Sequence, residues 1–318
     1  MLIKLFFLSL FSLFFLPEGS SQKYDEEEII LDTPTGKIYG TLTLPQKRKK
    51  HSLAIIIPGS GPTDRNGNSL MMQGKNNSLQ MLSHELASNG IASIRYDKRG
   101  IAASRKSGFS EQDLRIDHYI YDVVFWIRKL KADKRFKKIG IIGHSEGSLI
   151  GMVAATKEDI DFYISLEGAA FPANEIIKSQ LEGQSDNIKK DADEIMEQLN
   201  EGFTVDSINP MLFSIFRPSV QPYLISWFAY NPEEVIKNIN IPILVIQGTS
   251  DIQISTENGK TLYQASKNAK LLIVEDMNHI LKITGDDLEK NISSYTNPDL
   301  PLAGGISERI IYFIKKGK

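Results

Sequence analysis

Six short, mainly apolar runs separated by longer amphipathic segments are the feature that most limits how this chain can fold. Runs of this kind, bounded by turn residues, predict strands that are buried on both faces of a sheet. Strands that alternate with helices are usually parallel and joined by right-handed crossovers. The sequence therefore predicts an α/β fold with a mostly parallel sheet, whose strands include residues 53–57, 91–94, 139–142, 162–166, 243–246 and 271–274.

The segments around these runs carry helix and hairpin patterns. Leu79, Leu82 and Leu86 recur at helical spacing before Asn89-Gly90, and a longer helix is predicted from Ile116, Ile120, Val124, Ile127 and Leu130. Residues 29–31 and 37–44 flank a turn sequence, Thr33-Pro34-Thr35-Gly36, which predicts an antiparallel hairpin. Residues 25–28 are read as a charged leader in front of that hairpin.

One interval, residues 170–240, is too long to be a loop without structure of its own. Residues 175–200 are rich in charge with apolar residues at helical spacing, and residues 209–230 are rich in aromatic side chains. We expect a helical cap at 170–240, inserted between a first core part at 22–169 and a second at 241–318. Packing inside the cap is the favoured role of the aromatic residues, and contact with a ligand is the alternative.

The first 21 residues have the pattern of a secretory signal. Lys4 precedes an apolar run at residues 5–16, and Pro17 and small residues follow, with cleavage expected near Ser21. We therefore expect an exported protein, periplasmic or secreted, without stable membrane insertion after cleavage. An uncleaved membrane anchor is the alternative, which Glu18 and the polar residues after it disfavour.

Composition excludes several classes of function. The 318 residues include 37 basic and 39 acidic side chains, which give a net charge of -2. A protein that binds nucleic acid through its phosphates would need an excess of basic residues. The absence of cysteine removes disulfides, thiolate metal sites and cysteine nucleophiles. We therefore expect no nucleic-acid partner.

A G-x-S-x-G sequence, Gly143-His144-Ser145-Glu146-Gly147, follows the third predicted strand and precedes a helical segment. At such a strand-to-helix turn, small neighbours let the serine Oγ project from the edge of the sheet, beside the first N–H groups of the helix. The pentapeptide alone is a weak signal, but its context makes Ser145 a candidate nucleophile.

A serine nucleophile needs a base, and the base needs an acid that orients it. Of the five histidines, His279 is the one that follows a predicted strand in a loop at the carboxyl edge of the sheet. Asp251 follows the preceding strand in the same way. A nucleophile on this strand-to-helix turn, which we call the elbow, requires the chain order nucleophile, acid, base. Ser145, Asp251 and His279 follow that order. Asp276 is the rival acid, although it lies very close to His279 in sequence.

The developing negative charge on the substrate oxygen would be stabilised by backbone N–H groups. The loop Pro58-Gly59-Ser60-Gly61-Pro62 follows the first of the six runs, opposite the residue after the nucleophile. We expect the oxyanion hole to be formed by the N–H of Glu146 with that of Ser60 or Gly61. Each such donor is worth about 3 kcal/mol in the transition state.

Together these residues resemble the α/β-hydrolase superfamily, in its branch of bacterial carboxylesterases and serine-aminopeptidase-like proteins. The resemblance is carried by residues 58–68, by Arg95-Tyr96-Asp97-Lys98-Arg99-Gly100, by the elbow, by Gln247-Gly248-Thr249-Ser250-Asp251 and by Asn278-His279. It implies an eight-stranded sheet with a helical cap, hydrolysis of short acyl esters, and neither a metal nor an organic cofactor. Many relatives continue the Arg-Gly segment as Gly-x-Gly-x-Ser, whereas this chain has Ala102 in place of the second glycine. Arg65 and Arg99 are expected to pair with Asp64 or Asp97.

The leading hypothesis is a serine esterase that acts on small ester substrates through an acyl-enzyme. A peptidase or amidase that uses the same triad is the alternative, because the triad does not distinguish ester from amide leaving groups. A non-catalytic binding protein on the same fold is a third reading, disfavoured by the complete triad. The physiological substrate and the oligomeric state are left open by the sequence.

Overall fold

The computed structural model describes residues 23–46 and 50–317, and its eight strands form one sheet. The strands are β1 (Tyr24–Thr33), β2 (Gly36–Pro45), β3 (His51–Ile57), β4 (Ile91–Tyr96), β5 (Phe136–His144), β6 (Phe162–Leu166), β7 (Ile243–Gly248) and β8 (Ala269–Val274). Their order across the sheet is β1-β2-β4-β3-β5-β6-β7-β8. β1 and β2 are antiparallel, as are β2 and β4, and the remaining neighbours are parallel. The predicted mostly parallel, eight-stranded sheet is confirmed.

Helices cover both faces of this sheet. They are α1 (Ser78–Ser88), α2 (Ile116–Lys131), α3 (Glu146–Lys157), α4 (Ala173–Gln180), α5 (Asp186–Asn200), α6 (Phe213–Phe216), α7 (Gln221–Phe228), α8 (Pro232–Ile236), α9 (Thr256–Ala265), α10 (Leu288–Ser294) and α11 (Ile306–Lys316). Residues of α2, α3, α8 and α9 belong to the hydrophobic cluster on one face, and residues of α1 and α11 to the cluster on the other. The sheet is therefore the middle of three layers.

The apolar runs form strands because each places apolar side chains in the hydrophobic clusters on both faces of the sheet. In β3, Leu53, Ile55 and Ile57 point into one cluster, whereas Ala54 and Ile56 point into the other. Successive side chains alternate across a strand, so an unbroken apolar run is what a strand between two helical layers needs.

The charged residues 25–28 lie inside β1, so the prediction of a leader in front of the hairpin is wrong. β1 is an edge strand, and most of these acidic side chains extend into solvent. Glu26 instead forms an ion pair with Arg95 at 2.6 Å, and its carboxylate lies 3.0 Å from Nε2 of His84. An edge strand tolerates charge that a central strand would exclude, which explains why an acidic run can be β structure here.

The interval between β6 and β7 is largely helical, as its pattern predicts. Helices α4 to α7 share a hydrophobic cluster of their own, in which Leu199, Leu212 and Phe216 are fully or almost fully buried. Ile236 of α8 is buried with the core helices instead. We use the name cap for residues 170–230; the division of the chain at 170 and 240 stays a prediction.

The segment after β4 is held by two ion pairs. Arg65 and Asp97 are 2.7 Å apart, which confirms the expected partner of Arg65. Arg99 pairs with Asp122 of α2 instead of Asp64 or Asp97. Ala102, where relatives have glycine, has a left-handed backbone with φ of 43°. This residue opens a 3₁₀ helix at Ala102–Ser107 that packs against β2.

The predicted signal segment, residues 1–21, lies outside the described residues. Within the described part of the chain, no helix is long and apolar enough to cross a membrane.

Candidate active site

Ser145 occupies the turn between β5 and α3, in the strand-turn-helix context that its sequence predicts. Its backbone has φ of 54° and ψ of -123°, a combination that L-residues rarely adopt. A Cβ on Gly143 would lie 2.3 Å from the carbonyl oxygen of Gly147, and one on Gly147 would lie 2.5 Å from that of Ile57. The two glycines are therefore required because this turn brings three stretches of backbone together.

Asp251 and His279 meet at the carboxyl ends of β7 and β8. Nδ1 of His279 lies 2.7 Å from Oδ2 of Asp251, and both side chains are almost completely buried. The other carboxylate oxygen, Oδ1, accepts the N–H groups of Gln253 at 2.7 Å and Ile254 at 3.0 Å. Burial acts to raise the pKa of Asp251, but the imidazole of His279, the carboxyl group of Glu167 and the N–H of Ile254 outweigh it and hold the pKa below its usual value. The acid is thus kept ionised beside the ring.

The rival acid is placed differently. The side chain of Asp276 is exposed, and the backbone N–H of Asp276 donates to Oγ1 of Thr249 at 2.8 Å. The structure thus brings Asp251, and not Asp276, to the histidine.

Close packing of two loops holds this pair in place. A Cβ on Gly248 would lie 2.0 Å from the carbonyl oxygen of Met277, so only glycine fits at the end of β7. Asn278 is fully buried, and its side-chain oxygen accepts the N–H groups of Ile280 at 3.2 Å and Lys282 at 3.0 Å. The loop that carries His279 is therefore fixed by its own polar contacts.

His144, the residue before the nucleophile, supports the same loop. Its Nε2 lies 2.7 Å from the carbonyl oxygen of His279, and since a carbonyl only accepts, Nε2 carries the proton. Nδ1 has no hydrogen-bond partner among the described residues. Burial, together with the nearby ring of His279, lowers the pKa of His144 to about 4. Neutral His144 therefore supports the loop of the candidate base through this hydrogen bond.

A second carboxyl group that sequence reasoning missed lies beside Asp251. Glu167 follows β6 with φ of 48°, is fully buried and accepts the N–H of Gly248. The side-chain amide of Gln247 donates to both Glu167 and Asp251. Burial raises the pKa of Glu167 well above its usual value, and the charge of Asp251 raises it further. Its position one residue after β6, at the carboxyl edge of the sheet, is the signal that could have singled it out.

The three candidate oxyanion-hole residues, Ser60, Gly61 and Glu146, line one cavity with Ser145. Within the described part of the chain, the backbone N–H groups of these three residues have no hydrogen-bond acceptor. Such donors are available to a negatively charged oxygen at the serine. The predicted residues are therefore together, with their N–H groups unused.

The cavity has a volume of about 740 Å³ and lies between the core and the cap. The cap contributes mainly apolar side chains, among them Phe171, Ile177, Tyr223 and Trp227. Volumes of this order hold small-molecule ligands. In the described residues there is no group of three or more His, Asp or Glu side chains placed to hold a metal ion.

Comparison with known proteins is consistent with this arrangement. A family model described as serine aminopeptidase, S33, matches residues 72–185. The structure of Est1E from Butyrivibrio proteoclasticus with ferulic acid bound has a TM-score of 0.61 at 19% identity, over 91% of this chain and 97% of that one. An esterase structure from Pyrococcus furiosus has a TM-score of 0.60 at 15% identity, over 93% and 91%.

The chain has the α/β-hydrolase fold. Esterase EstD of Thermotoga maritima is 25% identical to this chain over 275 residues. These residues are 83% of this chain, which spans 62% of the length of EstD. In an α/β-hydrolase the nucleophile, acid and base lie at the carboxyl edge of the sheet, which is where Ser145, Asp251 and His279 lie.

Proposed function

We propose that this α/β-hydrolase is a serine esterase that cleaves small carboxylic esters through an acyl-enzyme. The observation that carries the proposal is the meeting of three separate chain segments at one edge of the sheet. Ser145 is held in a strained turn, and the Asp251–His279 pair is buried on the two loops that follow β7 and β8. Ser60, Gly61 and Glu146 line the cavity with the serine, and their backbone N–H groups have no acceptor among the described residues.

The reaction follows from these positions. Oγ of Ser145 attacks the acyl carbon while Nε2 of His279 takes the hydroxyl proton, and Asp251 holds the Nδ1–H. The negative charge on the carbonyl oxygen is stabilised by the N–H of Glu146 with that of Ser60 or Gly61. His279 then returns the proton to the leaving alcohol, and water activated by the same base hydrolyses the acyl-enzyme. The substrate is a small molecule, and the cavity can hold both halves of a short-chain ester.

Hydrolysis of amides is the second candidate function. The matching family model is named for serine aminopeptidases, and a triad of serine, histidine and aspartate also serves peptidases on other folds. An aminopeptidase must also bind the free amino group of its substrate. EstD, Est1E and the protein from Pyrococcus furiosus are named as esterases, and they favour the ester.

The deciding experiment compares the turnover of p-nitrophenyl acetate and butyrate with that of aminoacyl anilides. We expect rapid turnover of the esters, and a loss of at least about 10⁴-fold in Ser145→Ala and in His279→Ala. The double variant should be little worse than either single variant because the residues act as a unit. A Ser145→Ala variant that keeps a tenth of the wild-type turnover would contradict the nucleophile, and faster anilide turnover would favour the peptidase. No turnover of either class would favour the non-catalytic reading.

A further inference from the structure

A buried ion pair inside the candidate site is not explained by the triad. Nζ of Lys98 lies 2.8 Å from Oε2 of Glu146, and the two side chains are only 1% and 2% exposed. Burying two charges is costly, and an apolar pair of similar volume is often as stable or more stable. The stability of the fold therefore does not explain this ion pair, and its position beside the candidate oxyanion hole points to a role there.

Lys98 holds one side of the candidate oxyanion hole. Its Nζ also donates to the carbonyl oxygen of Gly59 at 2.6 Å. That carbonyl and the N–H of Ser60 belong to one planar peptide group and point in opposite directions. By fixing the direction of the Gly59 carbonyl, Lys98 fixes the direction in which the Ser60 N–H points.

Glu146 is the other side of the hole. Its N–H is the predicted second donor, and its side chain is held at both oxygens. Oε2 accepts from Lys98, and Oε1 accepts from the hydroxyl of Tyr223 at 2.6 Å. Through its hydrogen bond to Gly59 and its ion pair with Glu146, Lys98 therefore connects the loop after β3 with the first residue of α3.

Tyr223 belongs to α7 of the cap, and its ring lines the cavity. Burial, with the charge of Glu146, raises the pKa of Tyr223 well above its usual value, so the hydroxyl remains a donor. The ring also packs edge-on against Tyr119, over which the ammonium of Lys98 lies at 4.9 Å. The hydroxyl of Tyr223 thus joins the cap to the candidate oxyanion hole from within a mainly apolar wall.

We propose that the linked groups of Gly59, Lys98, Glu146 and Tyr223 set the spacing of the oxyanion-hole donors and couple it to the position of α7. Lys98 and Tyr223 are then positioning residues for the proposed esterase, on which this inference rests. An acyl group that fits below α7 leaves the linkage intact. One that displaces α7 moves Tyr223 and disturbs the hole, so the cap selects substrates through the rate of the chemical step as well as through binding.

Two variants test the linkage. Tyr223→Phe removes only the hydroxyl. The double variant Lys98→Met with Glu146→Leu replaces the ion pair with apolar side chains. We expect Tyr223→Phe to lower kcat for p-nitrophenyl butyrate by about 10-fold and the double variant by about 100-fold or more, with KM nearly unchanged. Butylboronic acid, which forms a tetrahedral adduct with an active serine, should bind more weakly by similar factors.

Matched controls separate positioning from structure. Tyr230→Phe removes a hydroxyl that donates to Asp117 at 2.7 Å and likewise joins the end of the cap to the core, outside the cavity. Asp122→Asn breaks the neighbouring buried ion pair with Arg99. Both controls should keep the wild-type kcat and boronate affinity at temperatures well below their Tm, even where Tm falls.

Three results would overturn the linkage. They are unchanged kcat and boronate affinity in Tyr223→Phe, a loss confined to Tm or KM, and losses of the same size in the two controls. If the double variant does not fold, Tyr223→Phe decides alone because it deletes a single atom. If the wild type is active, Ser145→Ala is inactive and Tyr223→Phe has no effect, only the linkage is overturned. Turnover that survives Ser145→Ala overturns the proposed function and the linkage together.

Discussion

The two sides of the candidate site are built on different principles, and we call them the core wall and the cap wall. In the core wall, which is made by the loops that leave the sheet edge beside Ser145, polar contacts fix Asp251, His279 and His144. In the cap wall, the side chains that line the cavity are mainly apolar and rest on a hydrophobic cluster that includes Phe216 and Phe228. Directional contacts hold reacting groups to a fraction of an ångström, whereas apolar packing defines only a shape. The core wall is therefore suited to chemistry and the cap wall to selection of the substrate.

The largest expected effect lies on the core wall. Asp251→Asn should lower kcat by about 10³- to 10⁴-fold for every ester, because the amide fails to hold the imidazole in the required tautomer. Asp276→Asn is the control and should change kcat by no more than roughly twofold, since its side chain is exposed. Steady-state kinetics with one short and one longer ester measure both. The reverse ranking would assign the acid to Asp276.

Variants of two aromatic cap residues distinguish packing inside the cap from contact with the substrate. Phe216 is fully buried in the cap cluster, and Phe216→Ala should cost about 3–5 kcal/mol of unfolding free energy with little change in acyl-chain preference. Trp227 lines the cavity, and Trp227→Ala should shift the preference from chains of about two to six carbons toward longer ones, by about 1–3 kcal/mol per methylene accommodated.

The exposed Phe213 is the control for both cap variants, and its change to alanine should do neither. Unfolding in urea and a series of p-nitrophenyl esters distinguish the outcomes. A Trp227→Ala variant that loses stability but keeps its chain-length profile would show that this residue only supports the cap.

The polar core wall should also be sensitive to acid. The pKa of His144 is about 4 in the folded protein and 6.5 in the unfolded chain, so between these values the unfolded state binds more protons. The contribution of neutral His144 is therefore complete above pH 6.5 and is lost as pH falls toward 4, by about 3 kcal/mol. His144→Gln should remove that part of the pH dependence, measured by urea unfolding at pH 7 and 4.5. The same change in unfolding free energy between pH 7 and 4.5 in wild type and variant would contradict this contribution of His144.

The smallest effect concerns a turn that belongs to neither wall. Ala102 has φ of 43°, and Ala102→Gly should raise the unfolding free energy by about 0.5–1 kcal/mol because glycine adopts this conformation without strain. The neighbouring Ala103, also exposed, has no such backbone, and Ala103→Gly should instead be slightly destabilising. Thermal unfolding compares the two variants, and a shift of the same sign in both would contradict the argument from strain.

The core wall could be predicted from the sequence because its signals are local. An apolar run marks each strand, and the polar residues just after three of these strands, Ser145, Asp251 and His279, lie at one edge whatever the details of the loops. The contacts that join the cap to the candidate oxyanion hole carry no such signal. Lys98 and Glu146 are 48 residues apart, and Tyr223 is 77 residues from Glu146, with no periodicity that relates them. The roles of Phe216 and Trp227 depend on which face of a short helix meets the cavity.

The backbone of Ser145 has a further consequence, for the evolution of the chain. A residue held at φ of 54° and ψ of -123° carries strain of about 1–3 kcal/mol, which the surrounding sheet and helix must offset. Glycine at this position would relieve the strain and remove the nucleophile. If Ser145 is the nucleophile, as proposed, selection for stability alone would favour the loss of activity, and the serine would persist only under selection for hydrolysis. The same turn limits how much additional destabilisation the rest of the sequence can tolerate.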